Sequence, residues 1–192
     1  MLGAIIGDTI GSRFEFNNKR SKDFELFTKD SQLTDDSIMT LAVADILLNN
    51  KINDPDAIID TLKEWGNLYP YAGYGGMFSQ WLFSNMNKTY NSYGNGSAMR
   101  ISPVGFLANS EEDVIDWATK VTKVTHNHPE GIKGAIVTAM CIYYAKVGKD
   151  KNLIRNYVEQ YYDISFDYSK LKKNITSMKH VKKLFHKQFI VS

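Results

Sequence analysis

Leu33-Thr34-Asp35-Asp36-Ser37-Ile38-Met39-Thr40-Leu41-Ala42 is the stretch from which the rest of this chain is read. Ile38, Leu41 and Ala42 recur at helical spacing, so a helix begins here, with Thr34 or Asp35 as its N-cap. Carboxylates in a first turn also complement the positive end of the helix dipole. A cap needs one carboxylate, however, and two side by side repel unless a cation, a proton or solvent relieves them. Hard oxygen donors from Thr and Asp suit Mg²⁺, Mn²⁺ or Ca²⁺. Two readings stay open at this point: a well-capped helix, and part of a metal site.

The flanking sequence supplies more helices. Residues 2–12 form an apolar helix with Gly3, Gly7 and Gly11 at every fourth position, a glycine face suited to close helix contact. Asp8 lies within it, and a buried carboxylate needs a hydrogen-bond partner or a metal. Glu15 follows seven residues later, two helical turns on, so the two acids share a face if the helix continues. The helix after Asp36 runs to about Asn49. Asp54-Pro55 starts the next one with proline at its first position, and Ile58, Ile59, Leu62 and Trp65 give it an apolar face.

Between Tyr71 and Gly96 the chain turns glycine-rich and aromatic, with a short helix expected over Met77 to Phe83. Such a segment either packs aromatics beneath itself or forms a binding wall. Its end, Gly94-Asn95-Gly96-Ser97, is expected to align backbone N–H groups as an anion cradle. Arg100 adds a donor for an acid or a phosphate. Ser102-Pro103 is expected to restart helix as cap and first residue. Ser110 opens another helix in the manner of a capping box, with Val114, Ile115, Ala118, Val121 and Val124 facing inward. His126 and His128 follow in a turn. With no cysteine beside them they make an incomplete zinc site; a structural hydrogen bond and a contact with a ligand sugar are the two remaining roles. Pro129 begins a long apolar helix that stops at Gly148, and Asp150 caps a last one through Leu153, Tyr157 and Tyr161.

No run alternates as a strand does, so the expectation is an all-α protein of six to eight helices. The 192 residues suit one domain. The single cysteine, Cys141, rules out a disulfide framework and a cysteine-based zinc site. No signal peptide and no apolar run of membrane-spanning length is evident, so a cytoplasmic location is expected. The net charge of +2 is unevenly placed: residues 169–192 hold seven lysines and no acid, whereas residues 1–168 are net acidic. Without an accompanying aromatic platform, that basic tail argues little for nucleic acid.

Five motifs, Gly-Asp-Thr-Ile-Gly-Ser-Arg-Phe-Glu (7–15), Thr-Asp-Asp-Ser (34–37), Gly-Tyr-Gly-Gly (73–76), Gly-Asn-Gly-Ser-Ala-Met-Arg (94–100) and Thr-His-Asn-His-Pro-Glu (125–130), occur in the order found in the ADP-ribosylglycohydrolases, and the chain resembles that family. The resemblance implies an all-α orthogonal multi-helix bundle with a cleft for two Mg²⁺ or Mn²⁺ ions. It implies hydrolysis of the glycosidic bond between ADP-ribose and a protein side chain or a small conjugate. Carried over by position, Thr34, Asp35 and Asp36 match metal ligands, and Asp35 is also counted as catalytic. Glu15 matches an acid near the metals and is the candidate general base. Gly94, Asn95, Gly96 and Ser97 match a loop on the diphosphate and distal ribose. His126 matches a histidine near the ADP-ribose, and Asp8 an acid taken to be structural.

One departure qualifies this. The family's remaining metal ligands come from a late Gly-Asp-x-Asp-Thr motif, absent here, where the last aspartate is Asp167. The expectation is therefore a partial family domain over 1–168, C-terminally shortened, followed by a divergent lysine-rich tail over 169–192. Activity impaired by the missing ligands is one consequence. A non-catalytic ADP-ribose-binding module and a non-functional fragment are the alternatives.

Overall fold

The computed structural model describes residues 2–19, 21 and 23–165, so the lysine-rich tail and Asp167 lie outside the described residues. Among the described residues the chain is helical throughout, with no strand and nine α-helices. α1 spans Leu2–Gly11, α2 Asp35–Leu48, α3 Pro55–Leu68, α4 Gly76–Leu82, α5 Gly96–Met99, α6 Ser102–Leu107, α7 Glu111–Lys123, α8 Pro129–Lys146 and α9 Lys151–Glu159. The count exceeds the expected six to eight because α5 is a single short turn of helix, Gly96–Met99, that an apolar-periodicity reading leaves within the glycine loop.

Two helices organise the fold. α2 is buried on several sides: Ile38, Met39, Ala42, Val43 and Ile46 are all essentially inaccessible. α1, α3, α5 and α6 pack around it. α8 is the second axis and carries α5, α6, α7 and α9 on its surface. α6 sits between the two axes and touches both. Its fit depends on Gly105, where a Cβ would lie 2.5 Å from the Ala139 carbonyl oxygen and 2.7 Å from Ile142 Cβ. The main core is formed by α2, α3, α4, α6, α7 and α8, and Val137, Val158 and Ile164 form a smaller second cluster where α9 meets α8.

The starts of the longer helices follow their caps. Thr34 Oγ1 accepts from Asp36 N, Asp54 Oδ1 from Asp56 N and Ala57 N, and Asp150 Oδ1 from Asn152 N and Leu153 N. Ser110 Oγ accepts from Asp113 N, while Asp113 reaches back one residue further than in a regular capping box, to Asn109 N. His128 is also a cap: its Nδ1 accepts from Glu130 N at the start of α8.

Three expectations need correction. α1 contains no buried residue, and a Cβ at Gly3, Gly7 or Gly11 would meet nothing within 4 Å. Its glycine face lines open space, not a helix contact, because the helix lies over the rim of a cleft. Ser102 is not a cap; Ile101 precedes the helix, Pro103 stands one position further in, and the Ser102 hydroxyl is buried without a partner. Ile115 points outward, 46% exposed, while Val114, Ala118, Val121 and Val124 are buried as expected. No helix of the described residues is long and apolar enough to cross a membrane.

Candidate active site

Asp8 fixes the start of α2. Its carboxylate accepts from Thr34 N at 3.0 Å, from Thr34 Oγ1 and from the Ser37 hydroxyl. The acid embedded in α1 is thus a bracket that ties α1 to the Thr34–Ser37 turn. Thr34 Oγ1 donates to Asp8 and accepts from Asp36 N, which leaves one oxygen lone pair uncommitted. Asp35 N donates to Ala72 O at 2.8 Å, holding the same turn against the glycine-rich segment.

Two cavities meet at this turn. The first, about 510 Å³, is lined by Gly7, Asp8, Gly11 and Glu15 on one side and by Thr34, Asp36 and Thr40 on the other. The second, about 450 Å³, is lined by Asp35, Gly76, Phe78, Tyr90, Arg100 and His126, with Gly94 and Gly96. Asn95 and Met99 line both. The adjacent acids Asp35 and Asp36 therefore serve different cavities, and the 94–96 loop forms the partition.

The acids crowd one another. The Asp35 carboxyl is pushed up to about 7, first by burial and then by Asp36, Glu15 and Asp8. Asp36 is pushed up to about 6 by burial and by Asp8 and Glu15. Among the described residues no ion pair involves any of these four acids. Partly buried carboxylates without a cation pay in desolvation and repulsion, which is what raised values record. Among the described residues, no group of three or more His, Cys, Asp or Glu side chains converges closely enough to hold a metal on its own. The hard donors at hand are Thr34, Asp35 and Asp36, all from one helix start.

The glycine loop has a different basis from the one expected. Asn95 is in the right-handed helical region, and neither Gly94 nor Gly96 has a positive φ. Glycine at 96 gives close approach to the imidazole: a Cβ there would lie 3.1 Å from His126 Nε2, tighter than an ordinary contact. The Ser97 hydroxyl is buried and donates to Gly131 O at 3.0 Å, so this side chain holds α5 to α8 and does not face either of the two large cavities. His126 is buried and pushed down to about 3 by burial and by Arg100, so it is neutral. Its Nδ1 meets a side chain, Thr125 Oγ1, at 2.8 Å.

Arg100, read as a partner for an acid or phosphate, is instead fully buried. Its Nη2 donates to Thr125 Oγ1 at 2.8 Å, and its guanidinium lies 5.5 Å from the centre of the Phe78 ring. Phe78, Tyr90 and Thr125 carried no signal by spacing. Phe78 stacks on Trp81, and the aromatic composition of 71–93 was the one available pointer to it.

Comparison with known proteins identifies the relatives of this sequence. The family model described as ADP-ribosylglycohydrolase matches residues 1–188. ADP-ribosylhydrolase ARH3 of Xenopus tropicalis is 27% identical over 175 residues, covering 78% of this chain and 50% of that protein. The human ADP-ribosylhydrolase ARH3 is 26% identical, covering 79% of this chain and 50% of its own length. A putative ADP-ribosyl glycohydrolase, L543, of Acanthamoeba polyphaga mimivirus is 24% identical, covering 82% and 57%. The chain spans about half the length of the curated relatives it matches.

Proposed function

This chain belongs to the ADP-ribosylglycohydrolase family, and we propose that its double cleft binds ADP-ribose conjugates and hydrolyses their glycosidic bond with the help of Mg²⁺ or Mn²⁺. The observation that carries this reading is the meeting of an acid cluster, without an ion-pair partner among the described residues, with an aromatic, glycine-walled cavity across one partition, residues 94–96. The second cavity suits the nucleotide: Phe78 and Tyr90 contribute aromatic wall, and Gly94, Gly96 and His126 offer close approach and a polar edge. The acid cavity suits the reacting ribose.

The donor set fits a hard divalent cation. Thr34 retains one lone pair, and Asp35 and Asp36 hold carboxylates whose repulsion such a cation relieves. When bound, the cation supplies positive charge at the reacting sugar and lowers the pKa of water. Thr34, Asp35 and Asp36 would hold it and thereby orient the ribose. Glu15, exposed on the far wall of the same cavity, takes the proton from the attacking water as general base. Gly94 to Gly96 exclude side chains from the ligand's path, and Asn95 faces both cavities. Positive charge that develops on the ribose in the transition state is countered by the three acids that line this cavity, Asp8, Glu15 and Asp36.

A second reading has its own support. The nucleotide cavity draws on α2, α4, α5 and the turn before α8, whereas the three metal donors all come from one helix start. Binding of ADP-ribose without turnover follows if those donors alone hold the cation too weakly. The test is release of ADP-ribose from arginine- or serine-ADP-ribosylated protein in Mg²⁺ and in Mn²⁺. Turnover abolished by chelator and by Asp35→Ala supports hydrolysis. Binding of ADP-ribose with no release at any metal concentration establishes the second reading, and neither binding nor release rejects both.

A further inference from the structure

Three buried side chains behind the nucleotide cavity form a chain that the proposed reaction does not explain. Arg100 is 1% exposed, Thr125 is inaccessible and His126 is 4% exposed. Arg100 Nη2 lies 2.8 Å from Thr125 Oγ1, and Thr125 Oγ1 lies 2.8 Å from His126 Nδ1. Arg100 forms no ion pair among the described residues, and its Nε is buried without a partner.

The direction of this chain follows from what each group can do. A guanidinium has donors only, so Thr125 Oγ1 accepts from Arg100. The hydroxyl then has one proton to give. Among the described residues its other side-chain neighbour within hydrogen-bonding reach is His126 Nδ1. Were Nδ1 to carry a proton, the hydroxyl proton would be left unpaired in a fully buried place, at the full desolvation cost of that group. The fixed charge of Arg100 acts in the same direction, repelling a proton from the near side of the ring. A neutral imidazole with Nδ1 accepting carries its proton on Nε2. That atom faces the glycine loop, close to Gly96 and Gly94, and makes no hydrogen bond within the described residues.

We propose that Arg100 and Thr125 are positioning residues that lock His126 in the tautomer protonated at Nε2, making it a fixed donor to an acceptor oxygen of the ligand beside Gly94 and Gly96. His126 in this state neither takes nor gives a proton during turnover; it orients the ligand, and proton transfer is left to a carboxylate. The burial that holds the ring neutral, and the charge of Arg100, are the same features that set its direction. The ligand's identity as ADP-ribose rests on the reading of the preceding section; the tautomer does not.

Ring-nitrogen NMR correlation spectra of the ligand-free, ¹⁵N-labelled protein test this, with His126 assigned by the signals missing from His126→Gln. In the wild type, Nε2 is expected to carry the proton and Nδ1 to show an acceptor's shift. Thr125→Val removes the hydroxyl at nearly constant volume; it should give mixed tautomers and weaken ADP-ribose binding about tenfold, the worth of one oriented hydrogen bond. Thr125→Ser should restore both the wild-type spectrum and the affinity, which a packing role alone would not do. The wild-type spectrum decides the tautomer even if Thr125→Val fails to fold. A wild-type proton on Nδ1 overturns the proposal, as does a Thr125→Val protein with unchanged tautomer and affinity. Failure of the wild type to bind ADP-ribose overturns the functional reading instead, because the ring spectrum is recorded without ligand.

Discussion

Asp35→Asn is expected to stabilise the metal-free protein while abolishing metal-dependent release of ADP-ribose. The two effects share one cause. In the fold, burial and then the neighbouring acids Asp36, Glu15 and Asp8 push the Asp35 carboxyl up to about 7, against 3.8 for an unperturbed aspartate. Its charged form is therefore disfavoured in the folded state, and ionised Asp35 works against folding. The penalty is fully present above about pH 7, declines as pH falls below that value, and is gone by about pH 4, where folded and unfolded chains are both largely protonated. Replacing the acid with a neutral isostere removes it. With the carboxylate still partly solvated, the gain at pH 8 is about 1–2 kcal/mol, or roughly 2–8 °C in melting temperature for a chain of this size. The gain should fade when melting is repeated near pH 4. Turnover in Mg²⁺ should fall by about a hundred- to a thousandfold, the usual scale for loss of one group that stabilises the transition state. Thermal melts across pH in chelator, beside an ADP-ribose release assay, measure both. A variant less stable than wild type at pH 8, or one that keeps its turnover, contradicts the account of this acid cluster.

Gly105→Ala tests the scaffold. A Cβ at this position would stand 2.5 Å from the Ala139 carbonyl oxygen and 2.8 Å from Ile142 Cγ2. The first contact is with backbone, so no rotamer change relieves it, and α6 must move off α8. Overpacking of this kind costs about 3 kcal/mol, which lowers the melting temperature by roughly 6–12 °C. The displacement would also loosen the Ser97–Gly131 bond that seats α5 on the same helix, so ADP-ribose affinity should fall with stability. Gly134→Ala, on α8 itself, is the control. Its nearest neighbour would be the Tyr162 hydroxyl at 3.7 Å, an ordinary contact, and alanine favours helix by about 0.5–1 kcal/mol. Calorimetric melting of both variants should give shifts of opposite sign. Equal melting temperatures for Gly105→Ala and the wild type would mean that α6 does not pack against α8 as described.

The features that sequence made legible are those decided within a few residues. The caps at Thr34, Asp54, Ser110 and Asp150, the proline starts at 55 and 129 and the stop at Gly148 all depend on local backbone chemistry, and each stands where the sequence placed it. What the sequence could not convey is which partner each face meets. The glycine face of α1 reads as a helix contact by spacing, yet it opens onto a cavity. Glycine at 96 reads as a backbone cradle, yet a Cβ there would press on an imidazole brought in from thirty residues away. Arg100 reads as a donor for an acid or a phosphate and is the most deeply buried cation of the described residues. The motif order pointed to the family, and the relation of Asp35 and Asp36 to two separate cavities emerged only from the fold.

The central claim is that the start of α2 and the glycine loop together bind a divalent cation and ADP-ribose as one site. Calorimetric titration of ADP-ribose into the protein, with Mg²⁺ or Mn²⁺ and again with chelator, tests it most directly when the same samples are followed for release of ADP-ribose from a modified protein. The account predicts binding that is tighter with the cation, a dependence that disappears in Asp35→Asn, and release only when the cation is present. Binding indifferent to the cation in both proteins, or no binding at all, would contradict it.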